Sequence, residues 1–118
     1  MNNILSEDLK IKQHNLLLLL AEAIKIIEKY LKRLRSEHNP KYDLLIISFE
    51  RCVKNLNDRV KLITENENFF KEQVNIPAKK RGSFGLLQGF GEFTYGDKAM
   101  EHEIIESIYK IENYFRIM

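Results

Sequence analysis

Residues 6–38 read SEDLKIKQHNLLLLLAEAIKIIEKYLKRLRSEH, and this stretch decides the fold. Leu9, Leu16, Leu20, Ala23, Ile27, Tyr30 and Leu34 recur at mostly three- and four-residue steps, the period of one helix face turned toward a core. Ser6 stands where its hydroxyl can accept a free amide of the first turn, and Glu7 and Asp8 suit the positive end of a helix dipole. Lys29, Lys32, Arg33 and Arg35 gather at the other end, where positive charge is favourable. The pattern predicts a helix over about 6–37. Leu16 to Leu20 follows Lys10 and Lys12 in the order of a signal-peptide core, but it closes at Glu22 and is too short to span a bilayer. No stable membrane insertion is expected.

Moving outward, Asn39-Pro40 ends this helix, because a residue before proline is pushed out of helical conformation. Asn39 can cap a second helix, with Pro40 in its first turn. That helix is predicted over 40–74 from Tyr42, Leu45, Phe49, Cys52, Leu56, Val60, Ile63 and Phe70. The short connection makes the pair antiparallel. A third helix is predicted over about 97–117, with Met100, Ile104, Ile108, Ile111, Phe115 and Met118 on one face and Asp97, Glu101, Glu103 and Glu106 crowding its start. The expected architecture is all-α: an antiparallel three-helix bundle, one domain over 1–118, with an irregular segment at 75–96.

Two helices of about 45 Å and one of about 30 Å leave part of a groove uncovered. Leu18, Leu19 and Ile26 lie off the main stripe of the first helix, and Leu44, Leu62 and Phe69 off that of the second. These six residues are the candidate interface of a homodimer, and the segment before the last helix is expected to cover part of the same surface as a fourth layer.

That segment is chemically unlike the rest. All five glycines fall between Gly82 and Gly96, interleaved with Phe84, Phe90, Phe93 and Tyr95 and preceded by Lys79, Lys80 and Arg81. Glycine widens the backbone's choices and aromatics supply contact area at low entropic cost, so these seven basic and aromatic residues are candidates for partner binding. The competing role is a plug packed over the core. The same residues would serve single-stranded nucleic acid, with the cations on phosphates and Phe84 or Phe90 stacking on bases. No strand precedes the glycines and no Gly-Lys-Ser/Thr follows, which excludes a dinucleotide fingerprint and a P-loop. In composition alone the Gly/Phe/Leu alternation resembles fusion peptides.

With 31% charged and 44% hydrophobic residues and a net charge of +2, the chain reads as a folded soluble domain without the strong basicity of a DNA-coating protein. The single cysteine, Cys52, rules out an internal disulfide and a paired-cysteine zinc site, and suits a reducing compartment. His14, His38 and His102 do not form the Glu-x-x-His pairs that bundles use for metals, so no metal or cofactor is expected.

Arg33-Leu-Arg-Ser-Glu-His38 has an arginine and a histidine separated by four residues. This resembles the RNase motif of HEPN-domain proteins, small dimeric helical bundles in which the pair acts on an RNA phosphodiester. The resemblance covers two residues, and it departs from the family's pattern in having Leu34 after the arginine and in ending the first helix. Taken together, the sequence points to a small cytosolic protein that binds another protein and is not an enzyme. Bacterial and phage adaptors, chaperones, immunity proteins, antitoxins and inhibitors exemplify the class. The alternative is a nucleic-acid-binding protein or a HEPN-like RNase.

Overall fold

A computed structural model describes residues 6–80 and 98–118, with Ala78 and Lys98 as backbone only. The described residues form four α-helices and no strand: α1 (Glu7–Ser36), α2 (Asp43–Glu65), α3 (Glu67–Asn75) and α4 (Lys98–Ile117). Pro40–Tyr42 and Ala78–Lys80 make short 3-10 helical turns. The fold is all-α, and no helix among the described residues is long and apolar enough to cross a membrane.

α1 begins where its sequence dictates. The Ser6 hydroxyl accepts the Leu9 amide at 3.2 Å, with Glu7 and Asp8 in the first turn. It ends at His38, whose φ of 50° lies in the left-handed region. The His38 amide donates to the Arg35 carbonyl and the Glu37 amide to that of Leu34, so a tightened last turn satisfies these two carbonyls just before the left-handed residue. Asn39 is extended, and its side chain accepts the Lys41 amide at 3.1 Å. It therefore caps the 3-10 turn, and the α-helix proper starts at Asp43.

The second helix is not continuous, contrary to the 40–74 expectation. Asn66 leaves helical conformation at φ −124°, ψ 83° and divides it into α2 and α3. Its amide still donates to Leu62, while its side chain accepts the Phe69 amide at 3.0 Å. One residue thus closes α2 and caps α3. Asparagine's short side chain competes with the helix for the neighbouring amide, which explains the break inside an otherwise helical pattern. The last helix is placed as expected to within a residue. Within 75–96, read as irregular, Ala78–Lys80 is a helical turn packed on α4.

α1 is the central helix. Gln13 near its start meets Ile63 near the end of α2, and Arg35 near its end meets Glu50, so α1 and α2 are antiparallel. Asn15 meets Tyr114 and Lys29 meets Glu103, so α4 is antiparallel to α1 as well. α2 and α4 approach each other far less closely than either approaches α1. The result is elongated, 55 × 26 × 17 Å with a radius of gyration of 16.0 Å, against about 13–14 Å for a compact chain of this length.

One core runs between these helices. Leu16, Leu20, Ala23, Ile27, Leu31 and Leu34 of α1 meet Leu45, Phe49, Cys52, Leu56 and Ile63 of α2, Phe70 of α3, and Met100, Ile104, Ile108, Ile111 and Phe115 of α4. All are buried, and Leu9, Tyr30, Tyr42 and Val60 pack partly buried at the edges. Ser107 is the one buried polar side chain among the described residues, and its hydroxyl donates to the Ile104 carbonyl at 2.7 Å.

Candidate interaction surface

Five consecutive leucines cannot all face one side of a helix. At about 100° per residue, Leu16 to Leu20 travel once round the circumference. Leu16 and Leu20 point into the core, Leu17 and Leu19 pack partly buried on the two flanks, and Leu18 is left outside, 54% exposed. Ile11, two turns earlier on the same outer face, is 58% exposed. On α4, Ile117 is 71% exposed.

The register between α1 and α4 brings Ile11 and Ile117 to one end of the molecule. The Asn15 amide donates to the Tyr114 hydroxyl at 3.2 Å. From that bond Ile11 lies one turn toward the start of α1, and Ile117 one turn toward the end of α4. The helices are antiparallel, so both steps go the same way and the two isoleucines stand level. Ile11 and Ile117 thus stand exposed beside the Asn15–Tyr114 bond, with Leu18 about two turns further along the outer face of α1.

Toward its other end the outer face of α1 becomes charged. Glu22, Lys25, Lys29 and Lys32 follow at helical spacing, all exposed. Lys29 sits 3.1 Å from Glu103, and its ammonium lies 4.5 Å from the centroid of the Tyr30 ring. The Tyr30 hydroxyl also donates to Glu103. Those two donors, Tyr30 first, hold the Glu103 carboxyl below its ordinary range, while the shared carboxylate raises the Tyr30 hydroxyl and the Lys29 ammonium. This ties α1 to α4 and uses one cation of the ridge. Arg35 is likewise engaged with Glu50 at 2.6 Å.

The residues singled out from sequence do not form one surface. Leu18 and Leu44 (68%) are exposed but far apart, since Leu18 lies in the first half of α1 and α2 starts beside the end of α1. Leu19, Ile26 and Phe69 pack partly buried against the core, and Leu62 is half-buried. Lys79 and Lys80 are exposed in the 3-10 turn on α4. Arg81, Phe84, Phe90, Phe93 and Tyr95 lie outside the described residues. Ile11 and Ile117 escaped the sequence reading. The signal for Ile11 was its seven-residue spacing from Leu18; Ile117, flanked by core-facing Phe115 and Met118, had none without the α1–α4 register.

The remaining chemistry is sparse. Cys52 is buried, and burial pushes its thiol up to about 12, far from a reactive thiolate at neutral pH. His102 forms an exposed pair with Glu106 at 3.2 Å one turn along α4, and His14 is exposed. Among the described residues no three His, Cys, Asp or Glu side chains converge. The chain matches no protein-family model, no curated protein and no solved structure.

Proposed function

We propose that this protein acts by binding another protein, and that the outer face of α1 with the end of α4 is a contact surface. The observation that carries this reading is the exposure of Ile11 and Leu18 along the outer face of α1, with the exposed Ile117 of α4 level with Ile11. Single exposed aliphatics are ordinary, but two along one helix face with a third set level by the register of a neighbouring helix, continued by a charged ridge, suit an interface. The segment from Lys79 to Tyr95 is a second contact region in the same reading, on its basic and aromatic composition. The class is that of adaptors, chaperones, immunity proteins, antitoxins and inhibitors of bacterial or phage origin. The setting is the cytoplasm, where a lone buried thiol is kept reduced.

A photo-reactive amino acid at position 18 tests this in the native host. Capture of a defined protein, lost in an Ile117→Asp background that keeps its helicity, supports the reading. Equal capture from position 18 and from position 54 on α2 would end it. The nucleic-acid reading, drawing on Arg33, His38 and Lys79 to Arg81, predicts instead that purified protein retards or cleaves single-stranded RNA.

A further inference from the structure

We infer that the occupant of the α1 outer face is a second copy of this chain, packed antiparallel about a two-fold axis at Leu18. This rests on the binding reading above and adds the partner. Between Glu7 and Lys29 the outward positions of α1 are Glu7, Ile11, His14, Leu18, Glu22, Lys25 and Lys29, each within about 40° of the direction opposite the core. An antiparallel axis at Leu18 pairs residues equidistant from it. Leu18 meets Leu18, His14 meets Glu22, Ile11 meets Lys25, and Glu7 meets Lys29.

Every pair is compatible. The centre is apolar, and the aliphatic stem of Lys25 can cover Ile11 while its ammonium stays in water. The outermost pair joins opposite charges, as in antiparallel helix pairs specified by their edges. Glu7 is free to serve, being exposed and held only loosely by Lys10 at 3.7 Å. Lys29 remains largely exposed beside Glu103 and has further donors to give. The alternatives are worse. A parallel pair opposes Glu7, Lys25 and Lys29 to themselves. A shift that pairs Ile11 with Leu18 sets Glu7 against Glu22.

The fold permits the contact. α2 and α4 both pack on α1, whose outward positions stay exposed, so a second copy can lie along them. The overlap is about 35 Å of helix some 10 Å wide on each copy, on the order of 700 Å² in total before flanking helices contribute. That is below a standard stable interface, so the association is a reversible one in the micromolar range or weaker.

Sedimentation equilibrium of the full chain from 10 to 500 μM, concentrations chosen to bracket a weak dimer, should show a monomer–dimer equilibrium, and Leu18→Glu should weaken it roughly a hundredfold without loss of helicity. Mild oxidation of Leu18→Cys should give a covalent dimer, with the buried Cys52 silent. Ile11→Cys should not link to itself, since its symmetry mate stands about 21 Å away. A monomer at every concentration overturns the inference. So does a dimer indifferent to Leu18→Glu, or equal cross-linking at positions 11 and 18. Monomeric protein that still captures a host protein from position 18 leaves the binding reading standing and removes only the self-association.

Discussion

The side-chain amide of Gln13 donates to the backbone carbonyl of Ile63 at 2.9 Å, joining the second turn of α1 to the last turn of α2. The bond sits where it is needed. α2 stops at Asn66, so carbonyls of its last turn lose their regular helical donors, and Gln13 supplies one of them. Gln13 is the tie that lets the helix break without orphaning a partly buried acceptor.

Removing that donor should be felt. Gln13→Ala is expected to destabilise the protein by about 1 kcal/mol, the worth of one partly buried hydrogen bond. Gln13→Glu should cost more at neutral pH, because a carboxylate cannot donate to a carbonyl. Urea denaturation midpoints measure both. An unchanged midpoint for the alanine variant would show that water serves the Ile63 carbonyl equally well.

His38 offers a stabilising change. A β-carbon at φ 50° is crowded, and glycine is not. His38→Gly should raise stability by about 1 kcal/mol and His38→Ala should not, as thermal denaturation of the pair will show. Neither variant is expected to alter the protein's biological activity. If His38→Gly were stable but inactive, and the parent cleaved RNA, the resemblance to HEPN RNases would have found the function.

Much of the fold was legible in periodicity. The stripes of α1 and α4 were read almost residue for residue, because a helix turns steadily and a core-facing position repeats. The break at Asn66 was not legible. Ile63 and Phe70 are seven apart and both buried, so the stripe passes the break undisturbed. Only the Thr64–Asn68 run of polar residues hinted at it. The surface was legible in part. Leu18 stood out as a leucine off the stripe, but Leu19, Ile26 and Phe69 stood out for the same reason and are packed on the flanks. Periodicity gives an angle, and the neighbouring helices decide how wide an arc is covered.

The Tyr30–Glu103–Lys29 cluster sets a pH dependence. Glu103 has its carboxyl depressed in the folded state, chiefly by the Tyr30 hydroxyl and then by Lys29. Its stabilisation is therefore present above the unfolded carboxyl value and lost as pH falls through the folded one, from roughly pH 5 downward. At the alkaline end the Tyr30 hydroxyl is raised, first by Glu103, so its contribution holds below about pH 10 and fades above. Glu103→Gln should flatten the acid limb of the stability profile relative to the parent. Parallel acid limbs for the two proteins would mean that the cluster does not discriminate folded from unfolded protein.

Leu16 to Leu20 differ in burial from one residue to the next. Their angular order sets an alternating cost of truncation, because the same side chain occupies core, flank and solvent within one helical turn. Leu16→Ala and Leu20→Ala remove fully buried side chains and should each cost about 2–5 kcal/mol. Leu17→Ala and Leu19→Ala, half-buried against α2 and α4, should cost on the order of 1 kcal/mol. Leu18→Ala should lie within about 0.5 kcal/mol of the parent, as surface substitutions do. Its effect belongs to association, so monomer stability measured at low concentration should be unchanged while the sedimentation-derived dimer constant weakens. A Leu18→Ala monomer destabilised as much as Leu16→Ala would place Leu18 in a core, and the outer face of α1 would no longer be a surface at all.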